Sequence, residues 1–230
     1  MVSSTELRKK KAGEAESGGK REISDLGAEP KTTSFLVRLA RVWHLGEGRA
    51  LIDEIVFSII DSLRDDSQGK KSFSLACKSF HSIESRHRKT LKPLRTDLLS
   101  RTLQRYPFIS RLDLNYCPRI EDDMLSIMST TYKSTLLSID LSRSRFFTNR
   151  GLSSLVMNCS ALVEIDLSNG TELMDSTAAA ITEAKNLEKL WLARCKLILD
   201  IGVGCIAVGC KKLKLICLKW CLRISDLVMG

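Results

Sequence analysis

Proline and glycine are scarce in this chain of 230 residues, at 4 and 13. Collagen-like and mucin-like architectures are thereby excluded. Long apolar runs are missing as well. The most apolar stretch, Ile198 to Cys210, is short, carries Asp200 and contains three glycines, so no membrane span is expected. The basic start at Arg8-Lys9-Lys10-Lys11 is followed by no apolar run, which argues against a secretory signal and for the cytosol or nucleus. Histidine is rare: His44, His81 and His87 stand in no Ser/Cys/Asp arrangement, and no glycine-rich phosphate loop occurs, so no enzyme is read here. Concentrated charge is also lacking. The net +9 is spread as excesses of +2, +4 and +3 over residues 1–48, 49–95 and 96–230. A nucleic-acid binder gathers its basic residues on one face. Neither nucleic acid nor a membrane is therefore expected as a partner.

What is present fits a globular protein, with 43% hydrophobic and 27% charged residues. Residues 1–34 are rich in Lys, Glu, Ser and Gly and read as a disordered tail. The Arg8–Lys11 cluster reads either as a solvated tail or as a nuclear signal. Residues 35–48 form an amphipathic helix or linker, with Phe35, Leu36, Leu39, Val42 and Trp43 at helical spacing. Packing on the domain that follows explains it better than a membrane surface does.

Residues 49–95 read as a compact helical block. Leu51, Ile52, Ile55, Val56, Ile59, Ile60 and Leu63 keep a helical rhythm. Asp65 to Gly69 reads as a loop. A second helix is expected to carry Phe73, Leu75, Ala76, Cys77 and Phe80, and a third to carry Ile83 and end before Pro93. So small a core gains by docking on something larger.

From residue 96 the chain repeats itself. Ile109-Leu112-Leu114-Cys117-Ile120 is followed by Leu136-Ile139-Leu141-Ser144-Phe147 and Leu162-Ile165-Leu167-Gly170-Leu173. Leu187-Leu190-Leu192-Cys195-Ile198 and Leu213-Ile216-Leu218-Cys221-Ile224 complete the set, with starts 27, 26, 25 and 26 residues apart. The pattern L-x-x-L-x-L-x-x-[N/C]-x-[L] at this period is that of a leucine-rich repeat. Each copy predicts one short strand with its two apolar residues inward and the middle residue outward, then a returning helix. A helix over Thr96–Arg105 is expected to open the array.

Eight cysteines in a reducing compartment read as thiols. Cys117, Cys195 and Cys221 fall in the turn after a strand, while Cys159 and Cys210 end returning helices. A small apolar thiol with a weak donor suits both places. Cys205, Cys210, Cys217 and Cys221 lie close in sequence but lack the paired C-x-x-C of structural zinc, so no metal or other cofactor is expected.

Residues 51–95 resemble an F-box. The family's first-helix pattern, L-P-x-E-[IL]-[LV]-x-x-I-F-x-x-L, reads Leu51 to Leu63 here, with Ile52 in place of proline. Its S-L-V-C-K-x-W reads Ser74 to Phe80, with Phe80 in place of tryptophan. The repeats are similar to the cysteine-containing leucine-rich-repeat subtype, whose C-x-x-[IL]-[ST]-D turn reads Cys221 to Asp226 and, more loosely, Cys117 to Asp122. The order matches the F-box/leucine-rich-repeat family. The resemblance implies an α/β chain: a three-helix F-box, then a curved solenoid with strands on its concave face and helices on its convex face. It also implies a non-catalytic substrate receptor of an SCF (cullin–RING) ubiquitin ligase. The F-box would dock on a Skp-type adaptor and the repeats would hold a target for ubiquitin-dependent degradation. The alternative is an interaction protein without ligase function, competing with a longer relative.

For the adaptor, the resemblance carries over Leu51, Ile52, Ile55, Ile59, Leu63, Leu75, Cys77, Lys78 and Phe80, some facing the adaptor and some the block's own core. For the target, the outward strand column holds Asp113, Asp140, Asp166, Trp191 and Cys217. The column beyond it holds Tyr116, Arg143, Asn169, Arg194 and Trp220, with Lys219 beside the last. Exposed Trp and Arg are enriched in hot spots. The residues fit a target with a basic segment and an apolar or acidic one; equally, the aspartates read as ordinary solvated strand residues. The fifth repeat breaks off at Gly230, which reads as a shortened array with an apolar edge at Leu213, Ile216 and Leu218.

Overall fold

The computed structural model describes residues 49–63 and 66–225. The expectations for the tail, for residues 35–48 and for Asp226 to Gly230 lie outside the described residues. Three helices come first: α1 (Arg49–Ser62), α2 (Ser67–Ala76) and α3 (Lys78–His87). Then strands and helices alternate: β1 (Thr90–Leu91), α4 (Leu99–Arg105), β2 (Arg111–Asp113), α5 (Asp122–Thr131), β3 (Ser138–Asp140) and α6 (Asn149–Asn158). They continue as β4 (Glu164–Asp166), α7 (Asp175–Ile181), β5 (Lys189–Trp191), α8 (Asp200–Gly209) and β6 (Leu215–Cys217). The six strands form one parallel sheet in sequence order, so the class is α/β with a solenoid-like arrangement.

The helical block folds around Val56, Ile60, Phe73, Phe80 and Ile83. Two caps set its corners. The Asp66 carboxylate accepts from the Gly69 amide at 2.8 Å and starts α2. Cys77 is extended (φ −161°, ψ 165°), and its sulfur accepts the Phe80 N–H at 3.4 Å. That extended residue breaks the helix expected to run from Phe73 to Phe80, so Phe80 belongs to α3. Phe80 then turns back to stack on Phe73, with ring centroids 4.5 Å apart and planes 10° apart.

Strand β1 was not legible in the sequence. It is two residues long and pairs Thr90 with Arg111 and Leu91 with Leu112, which joins the block's end directly to the sheet. The helix expected from Thr96 begins at Leu99, after a turn closed by Leu99 N–H donating to Thr96 O at 3.0 Å.

Neighbouring strands pair with equivalent residues opposite: Leu112, Ile139, Ile165, Leu190 and Ile216 form one row, and Asp113, Asp140, Asp166, Trp191 and Cys217 the next. The first row is buried through Leu190 and joins the helices' inner faces in one continuous core. Each unit's apolar edge is thus covered by its neighbours rather than by itself. At β6 the corresponding residues, Leu213, Ile216 and Leu218, are only half-buried.

Two further devices lock the units. Cys195 and Cys221 donate to the carbonyls of Leu167 and Leu192 one unit earlier, at 3.3 and 3.0 Å. Cys210 does the same towards Ile181 O, at 3.5 Å. Burial pushes the Cys195 thiol up to about 12 and Cys159 up to about 11, so both stay protonated and act as packing groups. The second device ties the start of one helix to the chain one unit on. Asp122 accepts from the Thr148 amide and hydroxyl, both at 2.7 Å, and Asp175 from the Leu199 amide at 2.9 Å. Asp200 accepts from the Ser225 amide and hydroxyl at 2.8 and 2.7 Å. Gly151 makes room for one of these: a Cβ there would lie 2.2 Å from Asp122 Oδ1 and 2.8 Å from Asp122 Cα.

Besides the β1–β2 pairing, one carboxylate ties the block to the array. Glu84 is 2% exposed and sits on α3. It accepts from Arg88 Nε at 2.6 Å, from Arg105 Nη2 at 3.2 Å and from the Tyr106 hydroxyl at 3.4 Å. Arg105 also donates to Ser74 Oγ at 2.8 Å, and the guanidinium groups of Arg88 and Arg105 lie 5.0 and 4.9 Å from the Tyr106 ring centre. Both ends of the interface are thereby held by charge-assisted bonds.

Candidate functional site

Two surfaces carry the residues singled out from the sequence. On the block, the structure separates outward from inward motif positions. Ile55 and Leu75 point to solvent, 46% and 82% exposed, and Lys78 is exposed with them. Ile59 and Cys77 are half-buried against the block's core, and Leu63 is half-buried in the turn that follows α1. Phe80 is fully buried, so its motif position is a core position. Leu51 and Ile52 lie on the first turn of α1, and their side chains are outside the described residues.

On the array, the strand row behaves differently at its two ends. Asp113, Asp140 and Asp166 lie side by side and each is half-exposed. Each is also committed locally. Their Oδ1 atoms accept backbone N–H groups two residues on, from Asn115 at 3.1 Å, Ser142 at 2.8 Å and Ser168 at 2.8 Å. These are Asx turns, and they start the bend that ends each strand. Asp113 has a second partner, Lys92 Nζ at 2.6 Å. One carboxylate oxygen of the central residue, Asp140, is left without such a cation, between two like charges. Burial first, and then Asp166 and Asp113, push its pKa above the ordinary 3.8.

That placement has a testable consequence. A carboxylate whose folded pKa is raised binds more protons folded than unfolded, so its presence costs stability as pH rises through that interval. Asp140→Asn keeps the oxygen acceptor for Ser142 and removes the charge. It is expected to stabilise the protein by about 0.5 kcal/mol at neutral pH, the scale of a like-charge strand pair. The gain disappears below the unfolded value of 3.8, where the parent residue is itself neutral in both states. Denaturant titrations across this range check it; a gain that persists undiminished in acid contradicts it.

Beyond the aspartates the row ends in Trp191, half-exposed, and Cys217, half-buried. The neighbouring row of Tyr116, Arg143, Asn169, Arg194 and Trp220 lies in the turns. It is not a flat continuation of the strands, because four of its five members have left-handed backbone: φ is 70° at Arg143 and 63° at Asn169, Arg194 and Trp220. The N–H groups of Arg143, Asn169 and Arg194 extend the ladder to Ser168, Ala193 and Lys219 carbonyls, at 3.1, 2.7 and 2.8 Å. That hydrogen bond, together with the tight closure of each turn, sets the backbone whatever the side chain is. Trp220 projects 61% exposed, Tyr116 is exposed beneath Lys92 Nζ, 4.9 Å from its ring centre, and Lys219 is exposed beside Trp220.

These turns line a groove of about 600 Å³, formed by Pro118, Arg119, Arg143, Arg145, Phe146, Asn169 and Arg194. The sequence reading named Arg143 and Arg194 but missed Arg119, Arg145 and Phe146, because these lie outside the repeat's strand positions. The sequence signal for Arg145 and Phe146 is the run Arg143-Ser144-Arg145-Phe146.

Among the described residues no group of three or more His, Cys, Asp and Glu is placed to hold a metal, and no helix is long and apolar enough to cross a membrane. The block exposes apolar side chains and the array exposes charged and aromatic ones, of which Trp, Tyr and Arg are types enriched in binding hot spots. No family model matches the chain.

Proposed function

We propose that this chain is the substrate-recognition subunit of an SCF (cullin–RING) ubiquitin ligase, working in the cytoplasm or nucleus. On this reading α1–α3 are an F-box that docks on a Skp-type adaptor. The array is a curved leucine-rich-repeat solenoid whose strand side holds a target protein for ubiquitin-dependent degradation. The receptor performs no bond chemistry; it raises the target's effective concentration and fixes its orientation. One observation carries the reading. A three-helix block leaves Ile55 and Leu75 exposed while the buried Glu84 network ties it to the array. Two recognition surfaces held at a fixed separation are what such a receptor needs.

The test is co-purification with a Skp-type adaptor on size exclusion, beside an Ile55→Asp, Leu75→Asp variant. Both positions are solvent-exposed, so the variant is expected to keep its helicity and lose the complex. Loss of an apolar interface anchor commonly costs about 2–4 kcal/mol, or roughly 30-fold and more in affinity. A folded parent chain that forms no complex overturns the reading and leaves the interaction protein without ligase function.

A further inference from the structure

Lys92 shows how the strand side of the array holds a cation. Its Nζ lies 2.6 Å from Asp113 Oδ2 and 4.9 Å from the ring centre of Tyr116, so one ammonium sits between a carboxylate and an aromatic ring. Further along the same row Asp140 lies opposite Asp166 on the neighbouring strand, and Asp166 lies opposite Trp191. These are the groups of the Lys92 site with a second carboxylate added and the ring supplied by the next strand. The chain's own cations on this side go elsewhere. Arg111 and Lys189, in the row before, both turn to Glu164, at 3.6 and 2.5 Å. Among the described residues no cation pairs with Asp140 or Asp166, and no ring or cation lies over Trp191. Acids without a cation elsewhere, such as Glu54 and Asp123, stand exposed on helices, where water solvates them. Asp140 and Asp166 are only half-exposed, and they face each other across a strand spacing of about 4.8 Å.

We infer that this face holds one arginine side chain of the captured protein, seated across Asp140 and Asp166 and against Trp191. A guanidinium is planar, offers donors to two carboxylates at once and stacks on an indole, whereas a compact ammonium suits the single carboxylate of Asp113. The added charge also relieves the Asp140 carboxyl, which burial first and its two acidic neighbours next push up. A run of basic residues is disfavoured, because the turns beyond the row carry the exposed Arg143 and Arg194. The arginine is therefore expected in a segment that is otherwise uncharged. The inference deepens the receptor reading and rests on it for the ligand being a protein.

The test uses fluorescence polarisation with the full chain and no adaptor. The probe is a labelled pool of 11-residue peptides with central arginine and random uncharged flanks. Beside it runs the same pool with citrulline, which keeps the shape and loses the charge. The arginine pool is expected to bind about tenfold tighter, equivalent to about 1.4 kcal/mol. Asp140→Asn with Asp166→Asn removes both charges and keeps the oxygens that accept from Ser142 and Ser168. This variant is expected to match or exceed the parent's Tm and to lose the preference for arginine. Trp191→Leu keeps an apolar side chain and is expected to reduce the preference about threefold, through loss of the ring contact. Equal binding of the two pools, or a preference unchanged in the double variant, overturns the inference. Nona-arginine binding more tightly than the pool, to the parent but not to the double variant, assigns the face to a polycation instead. Binding that emerges only after Arg8, Lys9, Lys10 and Lys11 are changed to alanine assigns it to the chain's own tail and overturns the captured protein as occupant. The adaptor is absent, so failure here leaves the adaptor result standing, and failure of adaptor binding leaves this one.

Discussion

Glu84→Ala is expected to lower stability by about 3 kcal/mol, the lower end of the range for breaking a buried ion pair. The end of the range follows from geometry. The Glu84 side chain is almost fully buried, but the Arg88 and Arg105 side chains are about a third exposed and can be rehydrated once it is gone. What remains is a desolvated interface with two like charges against one Tyr106 ring, and with Arg105 Nε already buried and unpartnered. The effect is also expected in the shape of the transition. Glu84 bridges α3 to the end of α4, so its loss uncouples the block's five-residue core from the much larger core of the array. Calorimetry should then resolve a low-temperature transition for the block ahead of the array. Glu84→Gln, which keeps the shape and one acceptor oxygen, is expected to fall between. A loss below about 1 kcal/mol with a single transition would show that apolar contacts, and not this network, hold the two parts together.

The second large effect is predicted at Phe80. Its ring is wholly buried and stacked on Phe73, and only three other buried residues complete that core. Phe80→Ala is expected to cost about 3–5 kcal/mol, since the lost transfer energy is joined by a cavity that so few neighbours cannot refill. Leu75→Ala, four-fifths exposed, is expected to change stability by less than about 0.5 kcal/mol. The contrast matters for function. In the sequence motif Leu75 and Phe80 are equivalent adaptor candidates; in the fold only Leu75 is free to touch a partner. An adaptor-binding defect in Phe80→Ala therefore reports unfolding, and one in Leu75→Ala reports contact. Near-equal stabilities for the two variants would contradict the assignment of Phe80 to the core.

The repeat was legible because its cause is local. A strand puts alternate residues on opposite faces, so Leu112 and Leu114 had to share a side and Asp113 the other. Once the spacing of 25–27 residues was visible, the row from Asp113 to Cys217 followed without the structure. The placing of Cys195 and Cys221 in turn interiors followed the same way, and their sulfurs indeed lie against the carbonyls of the preceding unit. The helix break at Cys77 was missed. Ser74 to Phe80 carries no proline or glycine, and only a sulfur reaching back to cap the next helix decides the corner.

By itself the sequence determined the α/β class, the parallel order of β2 to β6 and the repeating apolar residues of the array's core, because each depends on short-range periodicity repeated at a constant interval. The tertiary structure alone decided three things. It chose Leu75 over Phe80 as the outward residue, through the turn at Cys77. It brought Glu84 to Arg105, 21 residues away, and Arg105 to Ser74, 31 residues away. It gathered Arg119, Arg143, Arg145 and Arg194 into one groove, because turns stacked along the sheet carry side chains from the β2, β3 and β5 units to the same place. Side chains distant in the chain meet according to the rise and rotation between units, and no single stretch of residues encodes that.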